Sequence, residues 1–256
     1  MNQTILALFS HPDDAELMCS GTLSLLKNAG WEIHMATMTP GDKGSAELLR
    51  EEISAIRKSE AAQSAALLGA TYHCLEFDDV YIMYDRETIN RTIGLIREVK
   101  PAIVFTASPS DYMVDHEMTS LIVQTACFAA GIRNMEASGE SFGLVPHLYY
   151  TDSLDGNDKL GRPLPPSFYV DISKEMEKKE QMLACHESQR SWLLKHHKID
   201  EYILAMKRFA SLRGEEAGTE FAEGFRQHLG HGYPHNNILK KILGAQVIIN
   251  KLTIKG

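Results

Sequence analysis

The residue pattern predicts an α/β fold, with a mostly parallel sheet, helices on both of its faces and one main domain. Three observations carry this expectation. Over the first 130 residues, short apolar runs alternate with segments of helical periodicity. Those helical segments stop at Gly or Pro, as helices do. No Pro-, Gly- or Ser-rich linker divides the 256 residues, a length that can bury a substantial core.

Taken in order, Ile5 to Phe9 reads as a buried strand, Leu17 to Asn28 as a helix closed by Gly30, and Trp31 to Met38 as a second strand. Thr39-Pro40-Gly41-Asp42-Lys43-Gly44 is a loop by its Pro and Gly content. Glu47 to Leu68 is a long helix ended by Gly69, and Tyr72 to Phe77 a third strand. Glu87 to Val99 is helical up to Pro101, Ala102 to Thr106 is a fourth strand, and Glu117 to Ala130 a helix ended by Gly131. The second half is less regular. His147 to Asp152 and Phe168 to Asp171 read as strands around a Gly- and Pro-rich loop, Asp155 to Pro166. Ser173 to Leu194 and Ile199 to Leu212 read as helices, Ser173 as an N-cap. Residues 1–237 form the expected domain, and Ile238 to Gly256, apolar and mildly basic, an additional C-terminal arm.

Composition narrows the function. The formal charge of −8 does not suit a nucleic-acid partner, which calls for a basic surface. No apolar run approaches the ~20 residues of a membrane span. Met1-Asn2-Gln3-Thr4 lacks the basic region of a signal peptide. Cys19, Cys74, Cys127 and Cys185 are widely spaced and form no CxxC pair, so they read as reduced thiols in a cytoplasmic protein.

In open parallel sheets ligands bind beyond the carboxyl ends of the strands. The segments there are Ser10-His11-Pro12-Asp13-Asp14, Thr39-Pro40-Gly41-Asp42, Asp78-Asp79 and Ser108 to His116. All carry polar or acidic groups on one rim. His11 and Asp14 offer an imidazole and a carboxylate, both ordinary zinc ligands, and His116 on the fourth loop can complete a His2Asp set with one position open for water. Zinc lowers the pKa of bound water to ~7, and Asp13 is placed to accept its proton as general base. The competing reading of His-Pro-Asp-Asp is a capped helix start, with Asp13 or Asp14 as N-cap.

These motifs resemble the PIG-L, or LmbE-like, deacetylase family. The resemblance runs from about residue 5 to about 190. It rests on Ser10-His11-Pro12-Asp13-Asp14 with Ala15-Glu16 and Cys19-Ser20-Gly21-Thr22-Leu23, on Thr39 to Ser45 with Arg57-Lys58-Ser59-Glu60-Ala61, on Asp115-His116, and more weakly on His186-Glu187-Ser188-Gln189. It implies a Rossmann-like fold, zinc held by His11, Asp14 and His116, Asp13 as general base, and Arg57 as a sugar contact. One departure stands out. Many relatives read His-Pro-Asp-His where this chain reads Met113-Val114-Asp115-His116. The first histidine is associated with stabilising the oxyanion or protonating the leaving group, and a thioether has no proton to give.

Two replacements suggest themselves. His228 or His231, in Glu223 to Pro234, could supply the acid, unless that segment is only a helix end capped by Gly230. Tyr112 could donate a hydrogen bond or contact substrate. Arg57 and Glu60 could alternatively form a surface ion pair. Asp78, Asp79, Trp192 and His196-His197 are read as loop, packing or solvated positions outside the site.

The expected function is a zinc-dependent hydrolase that removes N-acetyl groups from an amino sugar or its conjugate, the sugar being implied by the resemblance. The alternatives are a zinc amidase acting on a non-sugar amide and a non-catalytic sugar- or nucleotide-binding module. No G-x-G-x-x-G follows the first strand to support dinucleotide binding. The partners expected are a small N-acetylated substrate and, through the C-terminal arm, a second copy of the chain in a homo-oligomer.

Overall fold

A computed structural model describes residues 3–190 and 201–250. Trp192, His196 and His197 lie outside these residues, as does the end of the C-terminal stretch. The described elements are β1 (Thr4–Phe9), α1 (Asp14–Met18), α2 (Ser20–Asn28), β2 (Glu32–Thr37), α3 (Arg50–Leu67), β3 (Thr71–Cys74), α4 (Arg86–Val99), β4 (Ile103–Thr106), α5 (Val114–Ala129), β5 (His147–Thr151), β6 (Phe168–Asp171), α6 (Met176–Leu183), α7 (Glu201–Ala217), β7 (Ala222–Gln227), α8 (Ile238–Leu243) and β8 (Val247–Ile249).

The strands form one sheet in the order β3-β2-β1-β4-β5-β7-β6-β8. β3, β2, β1, β4 and β5 run parallel, and the β5–β7, β7–β6 and β6–β8 pairs are antiparallel. The fold is thus α/β with a mostly parallel sheet. β1 shows why both faces must be covered. Ile5, Ala7 and Phe9 enter one apolar core, with Leu23, Leu26, Met182 and Met206, while Leu6 and Leu8 enter another, with Ile93, Ile96, Ile122 and Val123. Alternation at period 2 with both sets apolar is the pattern of a central parallel strand. Each large side chain so buried contributes about 1.5–3 kcal/mol.

Several elements differ from expectation for identifiable reasons. The expected Leu17–Asn28 helix is two helices, broken at Cys19. The second start is stabilised from far away, since Glu223 accepts from the N–H groups of Gly21 (3.0 Å) and Thr22 (2.8 Å) and is itself paired with buried Lys179 at 2.6 Å. The expected Ser173–Leu194 helix ends at Leu183, after which a turn at 184–186 directs His186 inward. β7 falls where the sequence offered a helix end, so Gly230 follows a strand and caps no helix. Its Gly224 lies against the Asp152 carboxylate, where a Cβ would clash. The described part of the C-terminal stretch is built into the fold: Ile238, Leu239, Leu243 and Val247 join the core, and β8 pairs with β6.

Strand order reverses between β1 and β4, the position where such sheets form a ligand crevice. The segments that leave β1 and β4 carry His11 to Asp14 and Asp111 to His116.

Candidate active site

The first segment leaves Phe9 and enters α1 through Asp13, whose φ of 109° lies in the left-handed region. That is a strained conformation for a side-chain-bearing residue, of the kind found at functional sites. Asp13 occupies the N-cap position but makes no side-chain cap bond, so the capped-helix reading does not account for its carboxylate. Asp14 Oδ2 turns back to accept the His11 N–H at 2.8 Å. Ser10 donates to the Asp115 carbonyl (3.1 Å) and shares a hydrogen bond with Thr119 (2.8 Å), tying this segment to α5. Asp115 and His116 sit in the first turn of α5 and not in the expected loop.

His11, Asp14 and His116 each place a ligand atom within 4.8 Å of the other two. Asp14 faces His11 Nδ1 at 3.5 Å and His116 Nε2 at 3.4 Å. The opposite ring nitrogens are held by other carboxylates. His11 Nε2 lies 2.9 Å from Asp79 and 3.4 Å from Asp115, and His116 Nδ1 lies 3.0 Å from Asp111. A carboxylate on the distal nitrogen fixes the tautomer and ring orientation of a metal-binding histidine. Two nitrogens and a carboxylate, all facing one cavity, are a donor set that fits zinc. A second group of possible ligands, His11, Asp79 and Asp115, shares this histidine. Its Asp115 Oδ2 already accepts the Val80 N–H at 2.7 Å, so it acts as the outer support of the same site.

Electrostatics agree with this division. Burial disfavours charge on both imidazoles, but the surrounding carboxylates outweigh it: His11 is held well above the usual histidine value and His116 is raised to about 10. Burial opposes ionisation of Asp14 too, yet His116 and His11 hold it well below the usual carboxylate range.

Asp13 belongs to a different set of contacts. Its Oδ2 accepts from the Tyr202 hydroxyl at 2.6 Å and faces Arg57 Nη2 at 3.4 Å. Burial raises its carboxyl against the opposing pull of Arg57, and the neighbouring Asp14 adds to the rise. Arg57 is only 4% exposed. Its guanidinium donates to the Pro12 carbonyl (2.7 Å) and the Gly41 carbonyl (3.4 Å). Gly41 and Gly44 let the loop wrap this group, since a Cβ at either would collide with it. Arg57 therefore braces Asp13 from the cavity wall. The surface ion pair with Glu60 is not formed. Glu60 instead accepts from Ser188 through its N–H (2.7 Å) and hydroxyl (2.6 Å), and His186 lies 3.1 Å from buried Glu16. The His186-to-Gln189 motif thus locks the wall behind Asp13.

Asp79 is presented by a strained loop. Glu76 and Val80 both have positive φ, the Asp79 N–H is held by Asp42 at 2.8 Å, and Asp42 pairs with Lys43 and Arg50. Asp79 therefore belongs to the site, contrary to its reading as a plain loop carboxylate.

Tyr112 stands at the mouth, 61% exposed, its ring edge-on to His116 at 5.7 Å. His228 is not brought here. Because β7 is antiparallel to β5, His228 pairs with Leu148, three residues back from the carboxyl end of β5 at Thr151. There its ring bonds Tyr150 at 2.9 Å and packs on Tyr233. His231 is exposed beyond it. Neither can serve as the acid expected of it. The sequence reading also missed Asp111 and Tyr202. Asp111 stood in a quoted loop, but Tyr202 carried no local signal.

Two connected spaces meet at the cluster. An open vestibule of about 540 Å3 is lined by His11, Asp13, Lys43, Arg57, Val80 and Tyr202. A smaller, more sheltered chamber of about 50 Å3 shares Asp14 and His116 with it.

Residues 6–127 match the family model PIG-L, GlcNAc-PI de-N-acetylase. The chain is 29% identical over 237 residues to diacetylchitobiose deacetylase of Thermococcus kodakarensis, covering 87% of this chain and 82% of that protein. It is 25% identical over 191 residues to 4-oxalmesaconate hydratase of Pseudomonas putida, covering 72% of each. Among solved structures it is similar to the conserved protein TT1542 of Thermus thermophilus, with a TM-score of 0.74, 27% identity, and coverage of 91% of this chain and 98% of that one. Residues 6–127 are thus similar to the domain that defines the PIG-L family.

Proposed function

We propose that this chain is a zinc-dependent N-deacetylase acting on an N-acetylated amino sugar or amino-sugar conjugate. The observation that carries this reading is the His11-Asp14-His116 cluster on the wall of an open vestibule, with Asp13 held beside it. The sugar rests on similarity to the diacetylchitobiose deacetylase.

His11, Asp14 and His116 would hold the zinc ion, which when bound would supply Lewis acidity toward the amide carbonyl and ease deprotonation of water. Asp79 and Asp111 keep both imidazoles turned to the centre. Asp13 removes a proton from the attacking water. Tyr202 and Arg57 both engage Asp13 Oδ2, which leaves Oδ1 for that task. Tyr112 is the hydroxyl donor at the mouth and takes the place vacated by Met113, facing the developing oxyanion. Asp13 then returns its proton to the leaving nitrogen. The C–N bond breaks, one water is consumed, and acetate and a free amine are released.

None of the described helices is long and apolar enough to cross a membrane. A cytoplasmic setting is part of the proposal and suits the four free thiols. So is a homo-oligomer. The described part of the C-terminal stretch that first suggested one packs on the core and pairs with β6, and the exposed row Val114, Leu121 and Phe128 on α5 supports it; sedimentation velocity tests it.

A second reading is hydration of an unsaturated acid, favoured by the similarity to the hydratase together with Met113. One screen separates the two. Zinc-loaded protein is offered N-acetylglucosamine, its β-1,4 dimer and 4-oxalmesaconate. Released amine supports the deacetylase, whereas loss of the carbon–carbon double bond of 4-oxalmesaconate alone would replace it with the hydratase.

A further inference from the structure

The two spaces at the cluster divide a substrate between them. Asp14, Leu17, Tyr112, His116 and Leu154 line both, whereas His11, Asp13 and Arg57 line only the vestibule. A water-sized group needs about 10–15 Å3, so the chamber's volume of about 50 Å3 takes three or four non-hydrogen atoms, too few for a sugar ring. The sugar and its nitrogen therefore stay on the vestibule side, where Asp13 stands to protonate the leaving nitrogen. With the amide carbonyl at the cluster, the substrate group small enough for the chamber is the acyl chain.

An acetyl methyl fills only a fraction of that space, and the wall around the remainder is apolar. Phe9, Leu17, Met18, Ala107 and Leu154 lie on it. The polar side chains beside them are engaged elsewhere. Asp111 Oδ1 accepts from the Met113 N–H at 3.1 Å and faces His116 Nδ1 at 3.0 Å. The Thr151 hydroxyl donates to the carbonyls of Thr106 and Asp152, at 3.3 Å each. The Asp152 side chain is 1% exposed and its Oδ2 accepts from Arg213 Nε at 2.8 Å, so it offers the chamber no free carboxylate. A chain that grows into this space takes methylene groups out of water and strands no polar partner, which favours each added methylene by about 4-fold.

Resting on the N-deacetylase reading, we propose that the chamber is an acyl pocket that selects straight-chain acyl groups longer than acetyl, N-propionyl and N-butyryl above all, and excludes N-hexanoyl. Beyond the carbonyl carbon, propionyl places two carbons in the chamber and butyryl three, within its capacity, whereas hexanoyl places five. Met18, the last residue of α1, lines the chamber but not the vestibule, and its long side chain sets the length limit. Hydrolysis consumes one water, breaks the same C–N bond and releases propionate or butyrate with the free amine.

The test uses the zinc-loaded full chain with glucosamine carrying N-acetyl, N-propionyl, N-butyryl or N-hexanoyl groups, reading released amine as kcat/KM. Butyryl is expected to exceed acetyl about 10-fold, the gain from two more buried methylenes, and hexanoyl to fall below butyryl by at least ~10-fold. Met18→Ala is expected to raise the hexanoyl-to-butyryl ratio by lengthening the pocket. Butyryl turnover at or below that of acetyl overturns the proposal while leaving the deacetylase reading intact. So does hexanoyl turnover at or above that of butyryl, since the chain then lies outside the chamber. A folded Met18→Ala protein that keeps the wild-type ratio overturns it as well. If that variant fails to fold, the wild-type series decides alone. No amine from any of the four substrates overturns the deacetylase reading, and this proposal with it.

Discussion

Asp79 Oδ1 lies 2.9 Å from His11 Nε2, on the face of the ring opposite Asp14, and the contact joins the loop after β3 to the segment after β1. Asp111 does the same for His116 at 3.0 Å. If these carboxylates orient the rings, Asp79→Ala and Asp111→Ala each weaken zinc binding by about 10- to 100-fold. Competition against a chromogenic chelator measures this. Wild-type affinity in both variants would leave the carboxylates without an orienting role.

Tyr202 donates to Asp13 at 2.6 Å from a helix far along the chain. A hydrogen bond to a charged group contributes about 1.5–3 kcal/mol. Tyr202→Phe is therefore expected to lower kcat by roughly 10- to 100-fold, with KM and bound zinc little changed. A rise in KM at constant kcat would instead make Tyr202 a substrate contact.

Lys179 and Glu223 are both buried and sit 2.6 Å apart. Glu223 also supplies the cap of α2. Removing one member of a buried pair strands the other and costs about 3–5 kcal/mol. Lys179→Met should show that loss in urea denaturation, with an unchanged m-value. A loss below about 1 kcal/mol would mean that Glu223 is neutralised by other means.

His34 Nδ1 and His73 Nε2 meet at 2.9 Å on the β2–β3 edge, with Glu32 at 3.4 Å from His34 Nε2. Burial and the neighbouring His34 lower His73, against a weaker opposing pull from Glu98. The folded chain therefore binds fewer protons at His73 than the unfolded chain does. The resulting stability is present above the usual histidine value of about 6.5 and is lost as pH falls through the lowered folded value. His73→Gln should flatten the loss of stability between about pH 7 and pH 5, measured as Tm against pH. An unchanged slope would assign the acid sensitivity to other groups.

The parts of this molecule that could be read in its sequence are those encoded locally. The apolar alternation of Ile5 to Phe9, the Gly and Pro stops and the segment after β1 are all features of neighbouring residues, and they led to the parallel sheet and to His11, Asp13 and Asp14. His116 was found because the carboxyl ends of parallel strands share one rim. What escaped depends on partners distant in sequence. Tyr202 reaches Asp13 across 189 residues. The break at Cys19 depends on Glu223, about 200 residues away. Asp79 was visible as a residue, but its role depends on a loop held in positive φ. His228 looked available because it stands with His231 and Arg226 among glycines. It follows an antiparallel strand inserted between β5 and β6 and bonds Leu148, away from the carboxyl end of β5.

The central claim is that one metal centre and one base, Asp13, act together on an amide. The most direct measurement is the deacetylation rate of Asp13→Asn beside wild type, with zinc content determined on the same preparations. The expected result is near-stoichiometric zinc in both and a rate about 10²- to 10⁴-fold lower in the variant. A fully zinc-loaded variant that releases amine at the wild-type rate would contradict it.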